Sequence, residues 1–342
     1  MIIVINNIPG LLESPDKLRA FNNILMSFGE GKHVLWMPSK KIEEIISQKI
    51  ISGYNQQVLY ELKERSRLTK SLRDDFDFYV DVDFEADNEY FLVDSKKLTV
   101  GYVHFIDSSS VQLPVFIAEN LSDINFYELG SKVYLKEHKL LSQYDIKFRK
   151  VSGGGNTTIN SFELHCQQKD LLLCILDSDK KHPSQGVKDT AARFSDYPVG
   201  WGDRYWLHIL DHTEAENIVP WRIADRALGS ISASTQEQFR GLSPGLRRYL
   251  DHKEGMRVGE ALSMDDRHNS NYWRGILPAG KQPEVWICEP MGQRFLDKCL
   301  ALMGEMSVHK LSEEIDRDRD TEYMCIARMV ASWGIGLKSA IR

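Results

Sequence analysis

The chain has 342 residues, of which 42% are apolar and 27% charged, with a formal net charge of −6. This is an ordinary globular composition, long enough for two or three domains and a sizeable core. It does not advertise a nucleic-acid partner, although local patches matter more than the sum. Five cysteines, Cys166, Cys174, Cys288, Cys299 and Cys325, include no CxxC pair, which argues against a disulfide framework and a structural zinc site. The apolar start MIIVI lacks a basic flank, and no run of about 18 apolar residues follows. The expectation is a cytoplasmic protein with no membrane span.

Three zones are expected. Residues 1–110 form a mixed α+β N-terminal domain, regulatory or partner-binding. FNNILMSFGEG and SKKIEEIISQKI carry helical periodicity, and DFDFYVDVDF and EYFLV read as strands. The acidic alternation Asp77, Asp81, Asp83 is taken as the wet face of a strand.

Residues 111–228 alternate strand and helix patterns. VFIAE is a short strand, followed by a helix around NFYELG. YDIKFRKVS reads as a strand ending in Gly153-Gly154-Gly155, and TTINSFELHCQQ as a helix. LLLCILDSD is a buried strand, GVKDTAARFSDY a helix, YWLHIL a strand and AENIVPWRIADRAL a helix. The alternation implies βαβ units on a parallel sheet, whose ligands sit beyond the carboxyl ends of its strands. Residues 229–342 are mainly helical, with Trp273 and Trp286 in loop-like or short extended segments.

The chemistry concentrates at those strand ends. The first ends in Glu119, the second in the triple glycine, the third in Asp177 and Asp179. The fourth is followed by Asp211, Glu214 and Glu216. Converging carboxylates repel one another unless a cation neutralises them, and hard oxygen donors suit Mg²⁺ or Mn²⁺. Asp177 and Asp179, two residues apart at a strand exit, can share metal ions.

With FIAENLSD, KVSGGGNTT and CILDSDKKHP in this order, the middle zone resembles the Toprim domain of topoisomerases, bacterial primases and OLD-type nucleases. HTEAENIVP is similar to the acidic segment after the fourth strand in OLD-like nucleases. Asn120 stands where the family usually has glycine. The resemblance implies a Toprim-like parallel sheet with flanking helices. It implies two Mg²⁺ or Mn²⁺ ions held by Glu119, Asp177 and Asp179, with Glu216 and Glu214 helping the second. It also implies a lysine beyond the acidic motifs, for which Lys253 is preferred over Lys281. Two ions about 4 Å apart can activate water and stabilise the leaving oxygen of a phosphodiester.

The resulting expectation is a nuclease acting on DNA or RNA. As OLD-like enzymes often carry an ATPase and no GxxxxGK[ST] occurs here, a separate partner such as an ATPase is expected, as in bacterial anti-phage defence. Gly153, Gly154, Lys180 and Lys181 are candidate phosphate contacts. Residues 131–150 add six cations against two acids, a net of +4. His208 and His212 read as core or loop histidines, and Trp201, Trp206 and Trp221 as packing residues able to stack on bases. A DxD glycosyltransferase and a non-catalytic Toprim-like module are the alternatives.

Overall fold

The structure is a computed structural model describing residues 1–341. In the first zone, strand β1 (Ile2–Val4) leads into helix α1 (Pro15–Gly29) and β2 (Val34–Trp36). Helices α2 (Ser39–Gln48), α3 (Gly53–Thr69) and α4 (Leu72–Asp75) follow. The Ser14 hydroxyl accepts from the Lys17 amide at 3.3 Å, and Pro15 opens the first turn, where its missing N–H costs nothing. Strands β3 (Tyr79–Asp83), β4 (Phe91–Asp94) and β5 (Lys97–Gly101) complete a sheet of order β2-β1-β3-β5-β4. Only β4 runs antiparallel. Rather than a mixed α+β arrangement, this zone is itself largely parallel α/β, because the apolar runs of β1 and β2 are buried along their whole length.

The middle zone contains β6 (Val115–Ala118), α5 (Leu121–Glu137), β7 (Tyr144–Ile146) and β8 (Arg149–Ser152). Next come α6 (Thr158–Gln167), β9 (Leu172–Leu176), α7 (Asp189–Ala192), β10 (Gly200–Trp201), β11 (Tyr205–Ile209) and α8 (Trp221–Gly229). The sheet order is β10-β11-β9-β6-β8, with β11, β9, β6 and β8 parallel. The registers Ala118↔Ser152, Ile117↔Cys174 and Leu176↔Ile209 bring four carboxyl ends to one edge.

Three local expectations are corrected. YDIKFRKVS is two strands in different sheets, because β7 leaves to pair with the end of the chain. GVKDTAARFSDY holds only the single turn α7. AENIVPWRIADRAL is divided into a 3₁₀ turn, Ala215–Ile218, and α8, since Pro220 cannot donate within a continuous helix.

The last zone contains α9 (Ala233–Arg240), α10 (Pro244–Arg248), β12 (Met256–Arg257), α11 (Val258–His268) and α12 (Tyr272–Ile276). β13 (Trp286–Cys288), α13 (Phe295–Gly304), α14 (Val308–Glu313), α15 (Thr321–Gly334) and β14 (Ile335–Leu337) follow. Trp273 lies inside α12 and is fully buried rather than in a loop. Asp265 in α11 accepts from the Trp273 and Arg274 amides at 3.0 and 2.8 Å, which starts that helix.

Helix α15 lies against α5. A Cβ on Gly130 would stand 2.9 Å from the Tyr323 ring and 3.1 Å from Ala327 Cβ, so the close approach requires glycine. β14 then pairs antiparallel with β7. The largest buried apolar cluster therefore draws on all three zones, from Ile3 through Phe116 to Trp333.

Candidate active site

Glu119 directly follows β6. Its carbonyl accepts from the Gly154 amide at 3.0 Å, and Ala118's accepts from the Gly153 amide at 2.8 Å. These two amides, expected to face a phosphate, are therefore spent on the backbone ladder. Their loop seats Glu119 instead. A Cβ on Gly153 would overlap the Thr158 side chain, and Gly154 adopts a φ of +73°, so the turn into α6 needs both glycines.

Asp177 directly follows β9, and its Oδ1 accepts from the Ala215 amide at 3.1 Å. The Ser178 hydroxyl donates to the His212 carbonyl at 2.7 Å, and the Asp179 amide donates to Thr213 O at 2.9 Å. These bonds join the exit of β9 to that of β11. Asp179 has a φ of +52°, so the alternation of the strand ends before it. A left-handed backbone at a non-glycine residue persists only where its surroundings impose it.

Glu214 and Glu216 flank and enter the turn Ala215–Ile218. Asn217 fixes it: its Oδ1 accepts from the Glu214 amide at 2.9 Å, and its Nδ2 donates to Arg247 O and Leu250 O at 2.7 and 2.8 Å. The Arg247 guanidinium donates to Glu216 O and Val219 O at 3.0 and 2.7 Å. Between the two glutamates stands Lys253, with Nζ 3.3 Å from Glu214 Oε2 and 3.2 Å from Glu216 Oε1. Lys281, the other lysine considered, is exposed before β13.

The electrostatics follow from crowding acids in a half-dry place. Burial, then Asp179 and Asp123, pushes Glu119 up to about 7. Burial, then Glu216, pushes Glu214 up to about 7. Asp177, buried near Asp123, Glu216, Glu119 and Glu214, is held well above the usual carboxylate range. Asp179 is raised by burial and by Asp189. Burial pulls Lys253 down, but Glu216, Glu214 and Asp177 outweigh it and hold the ammonium above its ordinary value.

Asp123 and Asp251, like Asp189, join the group without having been singled out in the sequence. Asp123, pushed up to about 6 mainly by burial, accepts from the Asn120 amide at 2.9 Å at the start of α5. Its signal was an acid three residues into a helix, which reads as a cap rather than a site. Asp251 binds Lys181 Nζ at 2.8 Å, and no motif marks it.

Lys181 is thus committed to Asp251 and, at 3.6 Å, Glu260. Lys180 has no carboxylate within 4.0 Å among the described residues, and it remains beside Asp179. Much of the 131–150 cluster is structural. Lys150 pairs with Glu128 at 2.6 Å, Arg149 with Asp170, and Lys147 donates to Gly31 O at 3.0 Å. His208 and His212 are each lowered to about 4 by burial and stay neutral. Trp201 and Trp206 pack edge-to-face with centroids 5.3 Å apart.

The donor set suits a hard divalent cation. Glu119 Oε1 is buried without a hydrogen-bond partner, and Glu214 Oε2 faces only Lys253, outside hydrogen-bond geometry. The side chains are not drawn together for it: among the described residues, no group of three or more His, Cys, Asp or Glu stands arranged to hold a metal ion. Lys253 is the cation between two of them. No helix of the described residues is long and apolar enough to cross a membrane. The chain matches no protein-family model, no curated protein and no solved structure.

Proposed function

We propose that the chain is a Toprim-like, metal-dependent nuclease hydrolysing nucleic-acid phosphodiesters. The observation that carries this reading is the convergence of Glu119, Asp177, Asp179, Glu214 and Glu216 from three adjacent parallel strands onto one sheet edge. Glu119, Asp177 and Asp179 would hold one divalent ion, with Glu216 and Glu214 able to serve a second. Bound there, Mg²⁺ or Mn²⁺ would activate water and neutralise charge developing on the phosphate. The residues themselves supply orientation. The Ala215 amide fixes Asp177, Asn217 and Arg247 fix the Glu214–Glu216 turn, and Lys253 brings a positive charge to where anionic oxygens would develop. Lys180, next to Asp179 in the chain, and Lys188, whose charge acts on Asp179, are candidate cations for the nucleic-acid backbone.

The test is incubation of wild-type protein and Asp177→Ala with plasmid DNA and with total RNA, in Mg²⁺, Mn²⁺ and EDTA. Cleavage by wild type alone, abolished by EDTA, supports the reading and identifies the substrate. Equal cleavage by both proteins refutes it. The reading extends to an effector of anti-phage defence held quiet until a separate partner, such as an ATPase, acts on it. Full unprompted activity of the isolated chain removes that extension.

A further inference from the structure

Behind the Glu214–Glu216 turn lies a cleft of about 680 Å³ between α8, α9 and the segment after α14. Its walls carry four guanidinium groups, Arg222, Arg226, Arg240 and Arg319, against three carboxylates, Asp225, Glu314 and Asp316, a net of +1. All three acids are engaged. Asp225 receives two bonds from Arg240 at 2.6 and 3.0 Å, and Glu314 takes Arg226 at 2.6 Å. Asp316 accepts from the Asp318 and Arg319 amides at 3.1 and 3.2 Å. Among the described residues, Arg222 donates to the Glu313 carbonyl alone, at 2.8 Å. Arg319 has no carboxylate within 4.0 Å among the described residues and lies on the Trp221 ring, 3.6 Å from its centroid. The unspent N–H donors of this cleft therefore belong to cations.

Beneath Trp221 a second arginine covers the ring. Arg247, 3% exposed, stands 4.6 Å from its centroid. No carboxylate lies within 4.0 Å of it, and its Nε has no hydrogen-bond partner among the described residues. A buried guanidinium without a carboxylate costs stability, offset here by the Trp221 ring and by the Phe239 ring, 5.0 Å away. Its other donors hold Glu216 O and Val219 O. A continuous stack, Arg319–Trp221–Arg247, thus runs from the cleft to the backbone of the carboxylate turn.

We infer that this cleft binds the phosphate of a nucleotide, free or within a strand, and that its occupancy is felt at the Glu214–Glu216 turn. The volume falls in the range of small-molecule sites. Guanidinium forks recognise phosphate oxygens, and a guanidinium stacked on indole offers a flat cationic face beside a base. The binding claim stands on the cleft alone, and only the coupling rests on the nuclease reading.

The test is calorimetric titration of the full chain with ATP, inorganic pyrophosphate and a single-stranded 12-mer oligonucleotide, in EDTA. The proteins are wild type, Arg319→Ala, the double variant Arg222→Ala/Arg319→Ala, and Lys70→Ala, which removes an exposed cation far along the chain from the cleft. Saturable binding of ATP or the oligonucleotide, weakened about tenfold per arginine removed and unchanged in Lys70→Ala, supports the inference. Preference between the two ligands identifies the source of the phosphate. Arg319→Lys, which keeps the charge but not the fork, should lie between wild type and Arg319→Ala. No saturable binding of any probe, or binding indifferent to Arg222 and Arg319, overturns it. Because binding is read without metal or turnover, its failure is distinct from failure of the nuclease reading.

Discussion

Replacing Lys253 by methionine keeps the apolar stem but removes the one ammonium between Glu214 and Glu216. Those carboxylates are 14% and 3% exposed, and Lys253 is 26% exposed. Breaking a buried ion pair from one side costs about 3–5 kcal/mol; partial exposure of the lysine places this case near the low end, about 3 kcal/mol. For a chain of this size that lowers the melting temperature by about 4 °C. The assay is thermal unfolding of wild type and Lys253→Met at pH 8, in EDTA and in Mg²⁺. If the carboxylates bind the ion, a concentration of 100 times Kd returns about 2.7 kcal/mol, most of the loss. At pH 5, where Glu214, with its pKa of about 7, is already protonated, the deficit should shrink. A variant melting at the wild-type temperature in EDTA at pH 8 would refute the electrostatic reasoning. Melting temperatures that Mg²⁺ leaves unmoved in both proteins would refute the metal assignment while sparing the role of Lys253.

Three further outcomes are expected. Glu119 and Glu214 have folded pKa values raised from an ordinary 4.5 to about 7. The folded state then binds more protons than the unfolded one between these values, so stability in EDTA should fall as pH rises from about 4.5 to 7. Urea midpoints across that window should show this slope, and Mg²⁺ should flatten it. Asp177→Asn removes one of the crowded charges. It should raise the EDTA midpoint at pH 8 by an amount worth about 1 kcal/mol while abolishing any Mg²⁺-dependent shift, and a lowered midpoint would count against the crowding argument. Gly130→Leu must push α15 from α5, since even a Cβ meets Tyr323 at 2.9 Å. A loss of about 1–3 kcal/mol or more is expected in denaturant unfolding, and a neutral result would mean that the two helices separate freely.

The sequence by itself determined the local parts of this protein. Apolar runs such as LLLCIL specify a strand buried on both faces, and helical spacing over FNNILMSFGEG specifies the second part of α1, whose start at Pro15 the pattern did not mark. These follow from short-range geometry, and so does the placing of Glu119, Asp177 and Asp179 immediately after strands. Only the tertiary structure decided which of those ends are neighbours, because strand order depends on pairings between segments tens of residues apart. It also decided that YDIKFRKVS divides between two sheets, since β7 is drawn away by a strand nearly 190 residues later. The glycines were legible as a turn, but whether their amides were free depended on the ladder to Ala118 and Glu119. Asp123 and Asp251 carry no motif and join the site through folding alone. The same is true of Lys253, which a weak resemblance pointed to but only packing could place 3.2 Å from Glu216. Patterns along a chain report which face a residue turns to water, whereas the energy of a charge cluster depends on distances across it, and those exist only once the strands are aligned.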